Sequence, residues 1–199
     1  DSLADLLGRY VASLPGAGRQ EQPREMDYRY TPGDNEVRFT AEMSTPQSVV
    51  YTFRHAPAEY TMENIVAATA MGRIYKSRLL AELREKRGWT YSINSHCSVV
   101  PYINGIDGPV FLLPVYVKVP EGKEDETASI VTDILTDIAT AGVTDEELGK
   151  VRESALRDYT EGVDDNAFWL AVLKVYDRNG LDYPATYPAA LKALTPAAV

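Results

Sequence analysis

The hydrophobic positions of this chain change period several times, and each change marks an element. Residues 2–14 place Leu3, Leu6, Leu7 and Tyr10 at helical spacing behind Ser2, an N-cap residue type, and Pro15-Gly16 stops the run. Residues 16–35 mix glycine, proline and charge without a period and predict a loop. Val37-Arg38-Phe39-Thr40-Ala41-Glu42-Met43 alternates with period two, the pattern of a half-buried strand. Residues 48–54 are β-branched and aromatic and predict a second strand, ended by Ala56-Pro57.

Residues 61–87 predict the longest helix. Ile65, Ala68, Gly72, Tyr75, Leu79 and Leu83 advance by three- and four-residue steps and form one apolar stripe. Thr61 with Asn64 caps its start, and Gly88 is a natural residue to end it. Lys86 and Arg87 suit the negative end of the helix dipole. Residues 90–100 predict a strand, residues 101–108 a turn-rich loop, and residues 110–119 a further strand in which Pro114 implies a bulge or an edge position. The remainder is helical. Residues 124–140 carry Ile130, Ile134 and Ile138 on one face, and Thr144-Asp145-Glu146-Glu147 is a capping box opening a helix to about residue 159. Asp164 or Asp165 caps a third helix, through Phe168, Leu170 and Leu173, which Asn179-Gly180 ends. A short helix closes the chain over residues 187–194.

Paired strands separated by long helices predict an α+β fold, a mostly antiparallel sheet with helices on one face. Residues 1–199 read as one domain. Strict strand–helix alternation, a glycine-rich phosphate loop and internal repeats are all missing, which argues against a doubly wound nucleotide-binding fold. A net charge of −9 argues against nucleic acid as a partner. The longest apolar run, Val110 to Val117, is too short to span a bilayer. One cysteine excludes an internal disulfide, and Cys97 reads as a small buried strand residue. Asp1 opens the chain without an initiator methionine or signal peptide, and both ends read as cuts within a longer protein.

The residues offer little chemistry of their own. His55 and His96 are the only histidines, on separate predicted strands, and there is no H-x-x-E-H pair; Pro57 interrupts the segment after His55. No G-x-S-x-G marks a serine nucleophile. Glu121, Glu124, Asp125 and Glu126 read as a solvated acidic helix start. Arg84 and Tyr91 remain, seven positions apart across a helix–strand corner. In one reading they are a solvated arginine and a half-buried strand tyrosine, Tyr91 alternating with Ile93, Ser95 and Cys97. In the other, a guanidinium fork and a phenol converge to hydrogen-bond the carbonyl oxygens of an extended peptide.

The segment from Ser77 through Leu83-Arg84-Glu85-Lys86-Arg87-Gly88-Trp89-Thr90-Tyr91-Ser92-Ile93 resembles the most recognisable motif of the C-terminal half-domains of pitrilysin/insulinase zinc metallopeptidases. Residues 1–15, ending in Ser13-Leu14-Pro15, and Gly142-Val143-Thr144-Asp145-Glu146-Glu147-Leu148 resemble two further segments in the right order. Met71-Gly72-Arg73 is less glycine-rich than the family pattern. The resemblance implies a half-domain of the pitrilysin/mitochondrial-processing-peptidase type, with a strand ahead of the first helix and a final element after the last. It implies a metal-free, substrate-binding half of a protease that cleaves peptides or unfolded polypeptides. Zinc and its ligands would then sit in a partner catalytic domain or subunit. Arg84 and Tyr91 map onto the residues that contact substrate and transition state, and this chain alone should not hydrolyse peptides. A bacterial periplasm or cell envelope follows by analogy with the family. Two alternatives stand beside it: an inactive scaffold of the same fold, and an independent small-molecule enzyme, for which no catalytic cluster speaks.

Overall fold

The computed structural model describes residues 2–16, 18, 31, 33–42, 44–103 and 105–199. The elements are α1 (Ser2–Tyr10), β1 (Ser48–Pro57), α2 (Met62–Leu80) continued by a π turn (Ala81–Lys86), β2 (Ile93–Ser95), β3 (Ser98–Val100), β4 (Val110–Val119), α3 (Glu124–Ala141), α4 (Asp145–Gly162), α5 (Asn166–Asn179) and α6 (Tyr183–Ala193). The fold is α+β. β4 is central, paired antiparallel with β1 on one side and with β2 and β3 on the other.

Several sequence expectations hold in detail. Thr61 accepts from the Asn64 amide and starts α2. Thr144 and Glu147 form the reciprocal capping box of α4. Asp165 caps α5, and Gly180 closes it in the left-handed conformation. Within the α2 stripe, Ala68, Gly72, Tyr75, Leu79 and Leu83 are buried, and Ile65 is half-buried.

Others are corrected. Residues 37–42 pair with no described strand, and Phe39 is 87% exposed. Alternation alone makes no strand without a neighbour to take its backbone hydrogen bonds; Met43 and most of the expected loop over residues 16–35 lie outside the described residues. Ser2 is the first helical residue of α1 rather than its cap, and the helix ends at Tyr10, its apolar side chains exposed. β1 runs on past Arg54 to Pro57, and α6 begins earlier than expected, capped by Asp182. The strand expected over residues 90–100 is two short pieces. Their register against β4 is the same, which places His96 and Cys97 opposite Pro114 and Leu113. Pro114 therefore marks neither an edge nor a bulge. It sits in the central strand, which has no N–H to give there, and the ladder toward β2 and β3 lapses opposite it while β1 pairs straight through.

The sheet has two different faces. Val50, Ile93, Ser95, Cys97, Leu113, Val115 and Val117 are buried beneath the helices, whereas Val49, Tyr51, Asn94, His96, Tyr116 and Lys118 are exposed on the other side. α2 crosses the covered face so closely that a Cβ on Gly72 would lie 2.3 Å from the backbone nitrogen of Cys97. Burial pushes the Cys97 thiol up to about 11, so the residue behaves as an inert apolar side chain.

α2 is locked to the other helices by polar contacts. The Tyr75 hydroxyl donates to the Val131 carbonyl at 2.7 Å. Arg78 makes a two-pronged bond to Glu147 (2.7 and 2.9 Å), reaches Asp137 at 2.7 Å and donates to the Gly142 carbonyl at 3.1 Å. One guanidinium thus joins α2, the end of α3 and the cap of α4. The Arg78 side chain, with the cap donors of Thr144, draws the Glu147 carboxyl down to about 2.

Two consequences can be measured. Gly72→Ala should lower unfolding free energy by about 1–3 kcal/mol, because the obstacle is backbone and cannot swing aside; an unchanged urea midpoint would mean α2 can lift off the sheet freely. Glu147 is depressed in the folded state, so its contribution is present above the unfolded carboxylate pKa and is lost as pH falls from about 4.5 toward 2. Glu147→Gln should therefore destabilise by about 1–2 kcal/mol at pH 7 and much less at pH 2. A penalty independent of pH would contradict the charged pairing.

Candidate functional site

Arg84 lies in the π turn that ends α2. Its neighbour Leu83 is fully buried and anchors the turn in the core. The wider turn is closed by Gly88, whose φ of 65° suits only a residue without a Cβ. The Gly88 amide donates to the Arg84 carbonyl and the Trp89 amide to the Leu83 carbonyl, both at 2.9 Å. This is a glycine-closed helix end in which both bonds span one residue more than the usual Schellman pair.

The cations of this turn are not equivalent. Glu82 takes Lys86 at 2.6 Å and also pairs with Arg87, and these two hydrogen bonds hold its carboxyl below the usual range. Arg87 stacks over Trp89 at 5.3 Å, and Lys123 from the loop before α3 lies over the same ring at 4.7 Å. Glu126 ties both cations down, at 3.6 Å to Arg87 and 3.4 Å to Lys123. Arg84 is left outside this network. Its one ion pair among the described residues is with the adjacent Glu85 at 3.5 Å, and its side chain is 52% exposed.

Tyr91 stands on the far side of the corner. Thr90 is buried and its hydroxyl donates to the Ser92 carbonyl at 3.0 Å, a local turn that throws Tyr91 outward. Tyr91 is 93% exposed and precedes β2, which opens at Ile93, so it does not join the buried alternation of Ile93, Ser95 and Cys97. The structure thus puts both residues on the surface of one helix–strand corner. Neither packs into the core.

The described side chains offer zinc no ligand set. His55 lies in β1 opposite Leu112, and His96 lies beyond β4 opposite Pro114. Among the described residues no three His, Cys, Asp or Glu side chains come together as a metal site. Two clefts, of about 420 and 480 Å³, open beside the chain's last residues, the first between β1, β4, α2 and Leu135 of α3 and the second between Met71 and the end of α3, and neither includes Arg84 or Tyr91. Sequence reasoning did not single out Arg78 as the structural keystone or the π turn. Both depend on contacts across elements, and no local pattern marks them.

The two-faced antiparallel sheet with its helices on one side is the α+β architecture that the chain shares with solved peptidase M16 inactive domains. The chain belongs to the family described as the peptidase M16 inactive domain, whose model matches residues 1–155. It is similar to the periplasmic protease PqqL from Escherichia coli, with a TM-score of 0.68 and 16% identity over all of this chain and 22% of that one. It is also similar to a peptidase M16 inactive domain from Pseudomonas fluorescens, with a TM-score of 0.62 and 19% identity over 77% of this chain and 36% of that one. A protease from Helicobacter pylori gives 0.61 and 20% identity over 76% and 36%. The chain therefore spans about a fifth to a third of these proteins. No curated protein matches it. Among the described residues no helix is long and apolar enough to cross a membrane.

The corner makes a stability prediction that separates its frame from its exposed groups. Gly88→Ala should cost about 1–2 kcal/mol through its left-handed backbone, while Tyr91→Phe should leave the thermal midpoint unchanged. A large loss from Tyr91→Phe would mean that the phenol is structural.

Proposed function

We propose that this domain is the substrate-contacting half of a zinc metallopeptidase acting on peptides or unfolded polypeptides. The observation that carries the proposal is the division of cations at the corner. Lys86 and Arg87 are tied back to Glu82, and Arg84 and Tyr91 are left exposed at the two ends of the corner. Arg84 can donate two parallel hydrogen bonds to carbonyl oxygens of an extended chain. Tyr91 can donate its phenol to the scissile carbonyl oxygen, a bond that strengthens as negative charge grows there. Zinc, held by a catalytic half in the same or another chain, would supply the activated water. An envelope location is supported by analogy with PqqL, a periplasmic protein.

The test uses the full-length parent protein and a quenched fluorogenic peptide. Tyr91→Phe should lower kcat by about 10²-fold, and Arg84→Ala should raise KM by about tenfold. The 199-residue chain alone, supplied with zinc, should be silent. Wild-type turnover in both variants would overturn the proposal and leave an inactive scaffold of the same fold. Hydrolysis by the isolated chain would mean that a catalytic centre had been missed.

A further inference from the structure

α3 begins on a residue that helix starts rarely use. Its N-cap is Lys123, whose side chain makes no capping hydrogen bond to the helix. Serine, threonine, aspartate and asparagine are the favoured N-caps, and a cation there opposes the positive end of the helix dipole. α4, α5 and α6 follow the rule with Thr144, Asp165 and Asp182. The Lys123 side chain is spent elsewhere. Its ammonium lies 4.7 Å from the centre of the Trp89 ring, the Arg87 guanidinium lies over the same ring at 5.3 Å, and Glu126 pairs with both cations. A local preference is set aside here for a contact with a distant segment, which marks the contact as one that matters. It lands on the corner that carries Arg84 and Tyr91. Trp89 is half-buried and packs against the core. It follows Gly88, whose left-handed backbone makes the turn, and two backbone bonds back to Leu83 and Arg84 hold the helix side of that turn. On the strand side Tyr91 lies outside the sheet ladder, and Thr90 spends its hydroxyl within the turn. Trp89 ties this side of the corner to the start of α3.

We infer that Trp89 is a positioning residue: its ring, engaged by Arg87 and Lys123, fixes the strand side of the corner and so the direction in which Tyr91 is presented. The inference rests on the substrate-contacting reading of Arg84 and Tyr91 and adds the group that aims the phenol. The quadrupole of the indole face holds both cations, and Glu126 holds the cations together, so the ring turns only if these contacts break. The aim matters because a hydrogen bond to a developing oxyanion depends on the donor's place, and a misplacement of about 1 Å costs up to about 10²-fold in rate. Arg84 stands on the helix side, where the backbone bonds and the buried Leu83 already fix it. Trp89 therefore acts through Tyr91 rather than through Arg84.

The test is a double-mutant cycle in the full-length protein, read with a quenched fluorogenic peptide. Trp89→Leu keeps an apolar side chain against the core and removes the face that holds the cations. It should lower kcat about tenfold and leave KM within about twofold. In the Tyr91→Phe background the same change should lower kcat by less than about twofold, because the group it aims is gone. Trp89→Tyr keeps an aromatic face and should recover most of the rate. The Lys123 side chain is 41% exposed, so Lys123→Met probes the same contact without disturbing the core if the leucine variant folds poorly. It should lower kcat about threefold, again only where Tyr91 is intact. Equal losses in both backgrounds would make Trp89 merely structural, and no loss in either would also refute the role. Either result beside an impaired Tyr91→Phe would sink this inference alone. Wild-type turnover in Tyr91→Phe would sink the substrate-contacting reading, and the aiming role with it.

Discussion

A helix can lie against a strand's backbone only where it has no side chain in the way, and α2 meets that constraint at Gly72. The approach of Gly72 to the Cys97 nitrogen sets the height of α2 above the sheet. From that point the helix makes its other contacts in order: Tyr75 to the Val131 carbonyl, Arg78 to Glu147, Asp137 and Gly142, and Leu79 and Leu83 into the core. Each fully buried Leu contributes about 1.5–3 kcal/mol. These contacts fix the height and rotation of the helix, and so decide that Leu83 points inward and Arg84 outward.

The polar residues of α2 do two different jobs. Arg78 is half-buried and every donor it spends goes to the protein itself, which suits a joint between three helices. Arg84, six residues on, is exposed and barely paired. The pairs around Glu82 are surface contacts and individually weak. Their effect is geometric: they occupy Lys86 and Arg87 and leave Arg84 outside the network. The same separation holds for the sheet, where one face is consumed by packing and the other exposes Tyr51, Asn94, His96 and Tyr116.

Much of this was legible in the sequence because it is local. The α2 stripe, the Thr61 cap, the Thr144–Glu147 box and the Gly88 and Gly180 stops follow from side-chain periodicity and from backbone preferences of single residues. The α+β class follows from the order of those elements, and the recognisable segment around Arg84 and Tyr91 pointed to the family. What failed was whatever needed a distant partner. Val37 to Glu42 alternates well but finds no described strand to pair with, and the strand after Trp89 is broken by a proline that lies across the sheet at position 114.

The sequence by itself determined the order of most elements, the caps and stops of the long helices, and which residues can be buried together. Those properties depend on neighbours within a few positions or on composition. Only the tertiary structure decided which arginine of the long helix is a joint and which stays exposed, that Tyr91 is expelled from the strand expected to include it, and which sheet face the helices cover. A guanidinium has the same local surroundings in either role; the choice is made by the carboxylates that other helices bring within hydrogen-bond reach.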